Sequence, residues 1–187
     1  MELFEVVENK AVPSVHALMA SPFKEVWDKD TSKNKDYATK VFSYVELVCN
    51  PVKSNPFSGY TQEERPIKVM KQVFGHNTTE LPVEMLDDII TCNTAYINIL
   101  QDGSPSYGLY VDAVNAVEKL RLFLRNFNLS ERTPHGAMVL KPADVANMLV
   151  KLPDIERTMQ IQRDKVHAEL TNKTKTRNQR EIGYFER

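Results

Sequence analysis

The stretch DYATKVFSYVELVCNPVKSNPFSGYTQEE, residues 36–64, decides the fold around it. Its first half carries apolar residues at helical spacing, which are Tyr37, Val41, Tyr44, Val45 and Val48, flanked by Phe42 and Cys49. Residues three, four and seven apart share one face of an α-helix, so this face is predicted to be buried. The Asn50-Pro51 pair then stops the pattern, because proline interrupts a helix. The sequence predicts a core helix over residues 36–49.

The second half of the stretch is a turn-rich loop with two aromatic residues. Pro56 precedes Phe57, and Tyr60 follows Gly59. Proline fixes its own backbone angle and lacks an amide donor, so this segment is predicted to be neither helix nor central strand. Two interpretations stay open at this point. Either the two rings cap the core of their own domain, or they lie exposed and bind a partner.

Composition describes an ordinary folded domain. The chain has 187 residues, of which 42% are apolar and 26% charged, enough to bury a full core and far from the composition of a disordered chain. The net charge of -1 and the pI near 6.4 give no overall signal for nucleic acid or for an anionic membrane. Local basic segments remain as the only electrostatic indication of such a partner.

The cysteines and the N-terminal residues indicate synthesis in the cytosol. Cys49 and Cys92 both fall on apolar helical faces, where a small buried thiol is the expected role rather than a disulfide or a metal ligand. The opening MELFEVVENK lacks the basic start and apolar core of a secretory signal. No apolar run approaches the roughly 18 residues needed to span a bilayer, so no membrane association is expected.

Further helices are predicted on both sides of the central stretch. One or two short helices are expected between Ser14 and Asp28, re-aimed at Ser21-Pro22. Thr61 and Glu64 have the form of a capping box, although Pro66 leaves open a start at the proline itself or a kink there. Gly75 is placed to end this helix. Later helices are predicted over residues 82–100 and 105–127, with Ser104 as a cap, followed by a loop or short hairpin over 129–141. A helix predicted from Pro142 through Val150 is either reopened or kinked at Pro153 and continues to about Leu170.

These elements define the predicted fold class, an all-α bundle of about five or six helices with irregular loops and an extended C-terminal arm. The helical body is assigned to residues 1–170, in which residues 1–12 form an N-terminal arm or an edge strand. The arm is assigned to residues 171–187, because TNKTKTRNQREIGYFER has no apolar residue before Ile182 and cannot build a core.

Motifs that carry chemistry are not found in the sequence. The four histidines are isolated, the six glycines do not cluster, and no metal-binding, phosphate-binding or nucleophile motif is present. The acidic pairs Glu63-Glu64 and Asp87-Asp88 lie near helix starts, where carboxylates complement the helix dipole. The sequence therefore predicts no catalytic residue, no cofactor and no metal site, and a protein that is not an enzyme. An enzyme is left as the third interpretation, because acid/base sites can be assembled from residues that no motif reveals.

The C-terminal arm combines basic and apolar residues. Lys173, Lys175, Arg177 and Arg180 are candidates for contact with DNA phosphates, or are simply solvated. Ile182, Tyr184 and Phe185 form a short apolar motif of the kind that orders on a partner surface. The second functional interpretation is therefore a helical nucleic-acid-binding or regulatory module that uses this basic tail.

The order of elements resembles that of tailed-phage neck proteins, most closely the ring proteins of crAss-like phages. The resemblance spans roughly residues 23–170 and rests on sparse positions: Phe23, Trp27, Asp28, Lys29, Asp30, Lys35, Ala38, Phe42, Tyr44, Ser54, Pro56, Tyr60, Glu63, Glu64, Arg65, the run TPHGAMVLKPADV at 133–145 and the helix after Pro153. This chain departs from the family pattern at Asn55, which separates Ser54 from Pro56.

The resemblance implies a structural virion protein of the head-to-tail connector. Such a protein forms a homo-oligomeric ring, expected to be a dodecamer, that docks on the portal protein or on an adjacent neck or tail ring and surrounds the DNA without reading its sequence. It is made in the host bacterial cytoplasm and ends in the virion neck. A cyclic ring joins two different patches of one chain, and Pro56, Phe57 and Tyr60 are the candidates for one of them. Ile182, Tyr184 and Phe185 are the candidates for contact with an adjacent protein.

Overall fold

Helix α2, Asp36–Cys49, is the element on which the N-terminal part of the chain packs. The computed structural model describes residues 3–52, 54–128, 132, 135 and 141–182, with side chains described as far as residue 171. Seven consecutive residues of α2, 41–47, are buried, so the helix is covered on nearly every side. A helix buried all round belongs to the centre of a core, which confirms the prediction made for residues 36–49.

Helices make up most of the chain, and a small sheet accompanies them. The helices beside α2 are α1 Ser21–Lys29, α3 Glu64–Phe74, α4 Val83–Gly103, α5 Tyr107–Asn126 and α6 Pro142–Ile182, with a short 3-10 helix at Ala17–Met19. Strands β1 Phe4–Val7 and β2 Lys10–Pro13 pair antiparallel. The mostly helical prediction is confirmed, whereas the prediction of a purely all-α fold is wrong at the N-terminus.

The N-terminal hairpin belongs to the core rather than to a detached arm. Its two-residue loop, Glu8 and Asn9, has positive φ angles of 52° and 61°, the turn geometry that matches the natural twist of two paired strands. Phe4 and Ala11 are buried, and the Ala11 amide donates a hydrogen bond of 2.8 Å to the Ser43 hydroxyl of α2. Of the two predictions for residues 1–12, the edge strand is therefore confirmed.

Aromatic rings from four elements meet around Phe42 of α2. The Phe42 ring centroid lies 5.2 Å from that of Phe4, 6.0 Å from that of Phe23 and 6.3 Å from that of Trp27. The Phe4 ring also stacks on Tyr96 of α4 at 6.0 Å. Aromatic pairs at these separations add to the free energy gained from burial alone. The cluster joins β1, α1, α2 and α4 in one core.

A buried carboxylate caps the start of α2 from outside the helix. Asp30 accepts hydrogen bonds from the backbone amides of Ser32, at 2.9 Å, and Ala38, at 3.0 Å. Lys35, with a φ of 52°, donates from its ammonium group to the backbone carbonyls of Trp27 and Asp30. Burial on its own would raise the pKa of Asp30, but the hydrogen bonds outweigh burial and hold the pKa below its usual range.

We expect Asp30→Asn to lower the free energy of unfolding by about 1–3 kcal/mol at pH 7, because the introduced amide keeps one acceptor oxygen but turns an NH2 group towards the second backbone amide, which is left unpaired in a buried site. Since the folded-state pKa of Asp30 lies below the unfolded-state value, the carboxylate stabilises the fold above about pH 4 and loses this effect as the pH falls. The difference in free energy of unfolding between Asp30→Asn and the parent chain should therefore become smaller as the pH falls towards about 3. Urea unfolding followed by the fluorescence of Trp27, the only tryptophan, measures it.

The exposed Asp28→Asn supplies the matched control for this experiment. It removes the same charge from the same part of the chain and should change stability by less than about 0.5 kcal/mol at either pH. If the difference in free energy of unfolding between Asp30→Asn and its parent increased on acidification, the role given to Asp30 would be contradicted.

The contacts divide the chain into two compact units. One consists of Met1–Pro105 with His167–Arg187, and the other of Ser106–Val166. In the first unit the Ser104 hydroxyl donates to the Glu169 carboxylate at 2.6 Å. Ser104 therefore pairs with α6, and α5 begins only at Tyr107. In the second unit Arg121 and Glu156 form an ion pair of 2.6 Å, and the buried apolar residues are Tyr107, Tyr110, Val117, Val145 and Val166.

The C-terminal helix, α6, is continuous, which agrees with the alternative in which the helix from Pro142 continues past Pro153 and not with the one in which a second helix begins there. It runs from Pro142 to Ile182 and passes through Pro153. The predicted arm, 171–187, is therefore helical as far as Ile182 rather than extended. Tyr184 and Phe185 lie outside the described residues, as does nearly all of the loop predicted over 129–141.

Candidate functional site

The loop after α2 is attached to the end of that helix by a buried asparagine. Asn55, only 6% exposed, donates from its side-chain amide to the carbonyl oxygens of Leu47, at 2.9 Å, and Asn50, at 2.8 Å. Its side-chain oxygen accepts the amide of Phe57 at 2.9 Å. The last carbonyls of a helix have no partner within the helix, so Asn55 caps α2 and fixes the loop in the same contacts.

Arg65 of α3 supports the loop from its other end. Its guanidinium donates to the carbonyl oxygen of Val48 in the last turn of α2 and to that of Ser58 in the loop, both at 3.3 Å. The charged guanidinium thus bridges the helix end and the loop. Charge-assisted hydrogen bonds of this kind are stronger than neutral ones. Asn55 and Arg65 together hold the loop against α2.

Successive turns shape the loop between these supports. The Asn55 amide donates to the Val52 carbonyl at 3.0 Å, the Ser58 amide to the Asn55 carbonyl at 2.9 Å, and the Tyr60 amide to the Phe57 carbonyl at 3.2 Å. Each is a tight turn closed by its own hydrogen bond. The loop therefore has a defined path set by backbone contacts, apart from the position of Lys53, which lies outside the described residues.

The aromatic rings of the loop lie at the surface. The centroids of Phe57 and Tyr60 are 6.0 Å apart, Phe57 is half-buried, and 42% of Tyr60 is exposed. Pro56 is exposed beside them. The ammonium of Lys68 lies 5.9 Å from the Tyr60 centroid, within the range of a cation–π contact. The structure brings together the three loop residues singled out in the sequence and adds Lys68, which no sequence motif indicated.

The predicted capping box opens α3 below the loop. The amide of Glu64 donates to the Thr61 hydroxyl at 3.2 Å, and that hydroxyl lies 3.2 Å from the Glu64 carboxylate. The helix begins at Glu64 and passes through Pro66, so the start at the proline is not used. Gly75, with a φ of 113°, follows its last residue. The Thr61–Glu64 pair therefore forms the hydroxyl-to-amide half of the predicted capping box at the start of α3, while the Glu64 carboxylate accepts the Thr61 hydroxyl.

The two cysteines are free thiols with raised pKa values. Burial raises the pKa of Cys49 to about 12, with a further increase from Glu46 that Arg65 partly offsets. Burial likewise raises the pKa of Cys92 to about 12. The Cys49 thiol donates to the side-chain oxygen of Asn93. Because the thiolate is the reactive form, both groups are poor nucleophiles near neutral pH.

The acidic pair Asp87-Asp88 does not act as a unit. Asp87 is exposed, whereas Asp88 binds the Lys29 ammonium at 2.7 Å and the Tyr37 hydroxyl at 2.5 Å. Burial alone would raise the pKa of Asp88, but its hydrogen bonds with Lys29 and Tyr37 outweigh burial and lower it. Asp88 therefore joins α4 to α1 and α2, which is a structural contact.

The C-terminal candidates are only partly described. The backbone is helical at the positions of Lys173, Lys175, Arg177 and Arg180 and ends as a helix at Ile182. Their side chains, together with Tyr184 and Phe185, lie outside what the structure describes. The predicted DNA and partner contacts of this segment therefore stay predictions.

Within the side chains described, no group of three or more histidine, cysteine, aspartate or glutamate residues could hold a metal ion. Among the helices of the described part of the chain, none is both long enough and apolar enough to cross a membrane.

Comparisons with known proteins identify no relative. The chain matches no protein family, no curated protein and no solved structure. The loop after α2 and the residues that support it are therefore the basis on which a function is proposed.

Proposed function

We propose that this chain is a structural virion protein, a subunit of the ring that connects a phage head to its tail. The resemblance of residues 23–170 to neck ring proteins supports this proposal, and so does the mostly helical fold. In this role the protein is not an enzyme. It assembles as a homo-oligomeric ring, docks on the portal or an adjacent ring and surrounds the DNA channel within the virion.

One observation carries the proposal, the exposed aromatic surface on a loop with fixed supports. Tyr60 is 42% exposed, although Asn55 and Arg65 hold the loop beneath it in place. A loop that is already ordered loses little conformational entropy when it binds. Tyrosine is also among the residues enriched at the energetic centres of protein interfaces. Both properties suit a subunit contact that forms many times in one ring.

The experiment replaces Phe57 and Tyr60 together with alanine. We expect the variant to remain folded, because the core around Phe42 is untouched, and to lose assembly, with subunit association weakened at least about tenfold. Mass photometry of rings and portal complexes measures assembly, while circular dichroism and Trp27 fluorescence measure folding.

A control double variant, Leu109→Ala with Leu122→Ala, removes similar apolar area from exposed positions on α5. It should assemble like the parent chain. A Phe57/Tyr60 variant that unfolds would return the two rings to the role of capping their own core, and one that assembles normally would contradict the proposed contact.

The helical backbone of the basic segment favours a second candidate, a nucleic-acid-binding or regulatory module. Lys173, Lys175, Arg177 and Arg180 all fall within α6, so this candidate would present them from a helix. Deleting residues 172–187 distinguishes the two. Loss of salt-sensitive DNA binding with no effect on assembly would favour this second candidate, because phosphate contacts depend steeply on salt.

A further inference from the structure

Helix α4 exposes an apolar stripe that no described residue of the single chain covers. Val83 is 85% exposed, Leu86 37% and Ile90 55%, and their spacing of three and four residues places them on one side of the helix. We name these three residues the α4 stripe. Glu84 and Asp87, both exposed, lie along it. The stripe is therefore apolar with an acidic border.

A second surface, on α3 and the loop, carries two exposed lysines, with the exposed acidic residues Glu63 and Glu64 beside them at the start of α3. It consists of Phe57 and Tyr60 from the loop with Ile67, Lys68 and Lys71 from α3, and we name it the loop–α3 surface. Ile67 is 51% exposed, and Lys68 and Lys71 are also exposed. An apolar and aromatic centre therefore has two basic residues beside it.

The two surfaces are separate patches of one compact unit. Helices α3 and α4 each pack on α2 and belong to the same unit. Since all of these side chains except the half-buried Phe57 are exposed in a single copy, neither surface covers the other. A ring requires this arrangement, because its heterologous contact joins two different patches of identical subunits.

We propose that the α4 stripe of one copy binds the loop–α3 surface of a second copy. This inference rests on the proposed ring and names the two faces of its subunit contact. Val83, Leu86 and Ile90 would lie against the aromatic loop, where apolar side chains form the centre of an interface. Glu84 and Asp87 would face Lys68 and Lys71, which lie about one and two turns along α3 from the acidic Glu64. This local complementarity of charge favours a second copy as the occupant.

Two single-face variants test the proposal, Ile90→Asp on the α4 stripe and Ile67→Asp on the loop–α3 surface. Each places a charge in the interface, so each variant alone should be monomeric, with association weakened at least about tenfold. Each variant keeps one intact face. An equimolar mixture should therefore form heterodimers and nothing larger, because the one intact pair of faces joins two chains and cannot propagate.

Sedimentation velocity or mass photometry counts the chains in each species. Leu109→Asp, at an exposed position on α5, is the control for an added surface charge and should assemble like the parent chain. Circular dichroism and Trp27 fluorescence should be unchanged in all three variants, and a unit unfolded by either single-face substitution would contradict the surface assignment.

A charge reversal gives a second, independent readout. Asp87→Lys should weaken assembly, and adding Lys68→Asp in the same chain should restore it. Assembly that Ile90→Asp leaves intact would overturn this pairing of surfaces while leaving the ring in place. Two monomeric variants that form no heterodimer on mixing would overturn it as well. A parent chain that never self-associates, with or without portal protein, would overturn the ring itself.

Discussion

Replacing Phe42 with alanine is expected to lower the free energy of unfolding by about 3–5 kcal/mol, the largest single effect we anticipate. Phe42 is 0% exposed, and the rings of Phe4, Phe23 and Trp27 surround it at centroid separations of 5.2–6.3 Å. Alanine would leave a cavity between β1, α1 and α2 that these elements cannot close without moving. The loss combines apolar burial with aromatic contacts.

Trp27 gives a direct measurement of this effect. Its ring stacks on Phe42, so its fluorescence reports on the core that the substitution alters. The denaturant concentration at the midpoint of unfolding should be much lower in Phe42→Ala than in the parent chain. Phe42→Leu should lie between the two, because leucine retains part of the side-chain volume. The exposed Val15→Ala should shift stability by less than about 0.5 kcal/mol. A Phe42→Ala variant as stable as Val15→Ala would contradict the assigned centre of the core.

Replacing Asn55 with alanine is expected to cost about 2–4 kcal/mol, because each buried polar group left without a partner costs about 1–3 kcal/mol. The substitution removes the hydrogen bonds to the Leu47 and Asn50 carbonyls and the one from the Phe57 amide. It also releases the loop, so assembly through Tyr60 should weaken in the same variant. Urea unfolding and mass photometry measure the two effects separately.

The stability of Asn55→Asp should depend on pH, which gives a second test of the contacts of Asn55. A carboxylate at this site could still accept the Phe57 amide, but it would face two carbonyl oxygens to which the native side-chain amide donates. The charged form would therefore be disfavoured, which raises the folded-state pKa of the introduced carboxyl group above its unfolded-state value. Asn55→Asp should be least stable near neutral pH and regain stability as the pH falls below about 5.

The exposed neighbour Ser54→Ala is the control for both substitutions of Asn55 and should change stability by less than about 0.5 kcal/mol. An Asn55→Asp variant that loses stability relative to the parent on acidification would contradict the donor role assigned to the Asn55 amide group.

The ends of α2 and α3 followed from local signals. The apolar spacing over residues 36–49 predicted α2, Thr61 and Glu64 marked the start of α3, and Gly75 marked its end. Such signals act between residues a few positions apart, so a sequence read in isolation contains them. The same reasoning identified the loop as turn-rich and placed Phe57 and Tyr60 on it.

The N-terminal hairpin needed contacts that are distant in sequence. Phe4 becomes a core residue because it meets Phe42 and Tyr96, and Ala11 finds its hydrogen-bond partner at Ser43. A two-stranded hairpin is only marginally stable by itself, so packing on helices decides whether it forms. The local signal, Asn9 in a two-residue turn, was weak because glycine is the usual partner there.

Helix α6 shows how packing overrides a helix-breaking residue. Pro153 costs a helix about 3 kcal/mol, which is why the sequence left open whether a second helix begins there or one helix continues through it. Val145 before it and Val166 after it are both buried, so the helix is anchored by packing on either side of the proline. A pattern of residues cannot show that anchoring.

The stretch 36–64 summarises this division. By itself, the sequence determined a buried helix, a stop at Asn50-Pro51 and a stiff aromatic loop, since spacing and proline geometry are local properties. Only the tertiary structure decided which way the loop faces. Asn55 and Arg65 hold it on the last turn of α2, because the carbonyls there lack partners within the helix, and this attachment leaves Tyr60 at the surface.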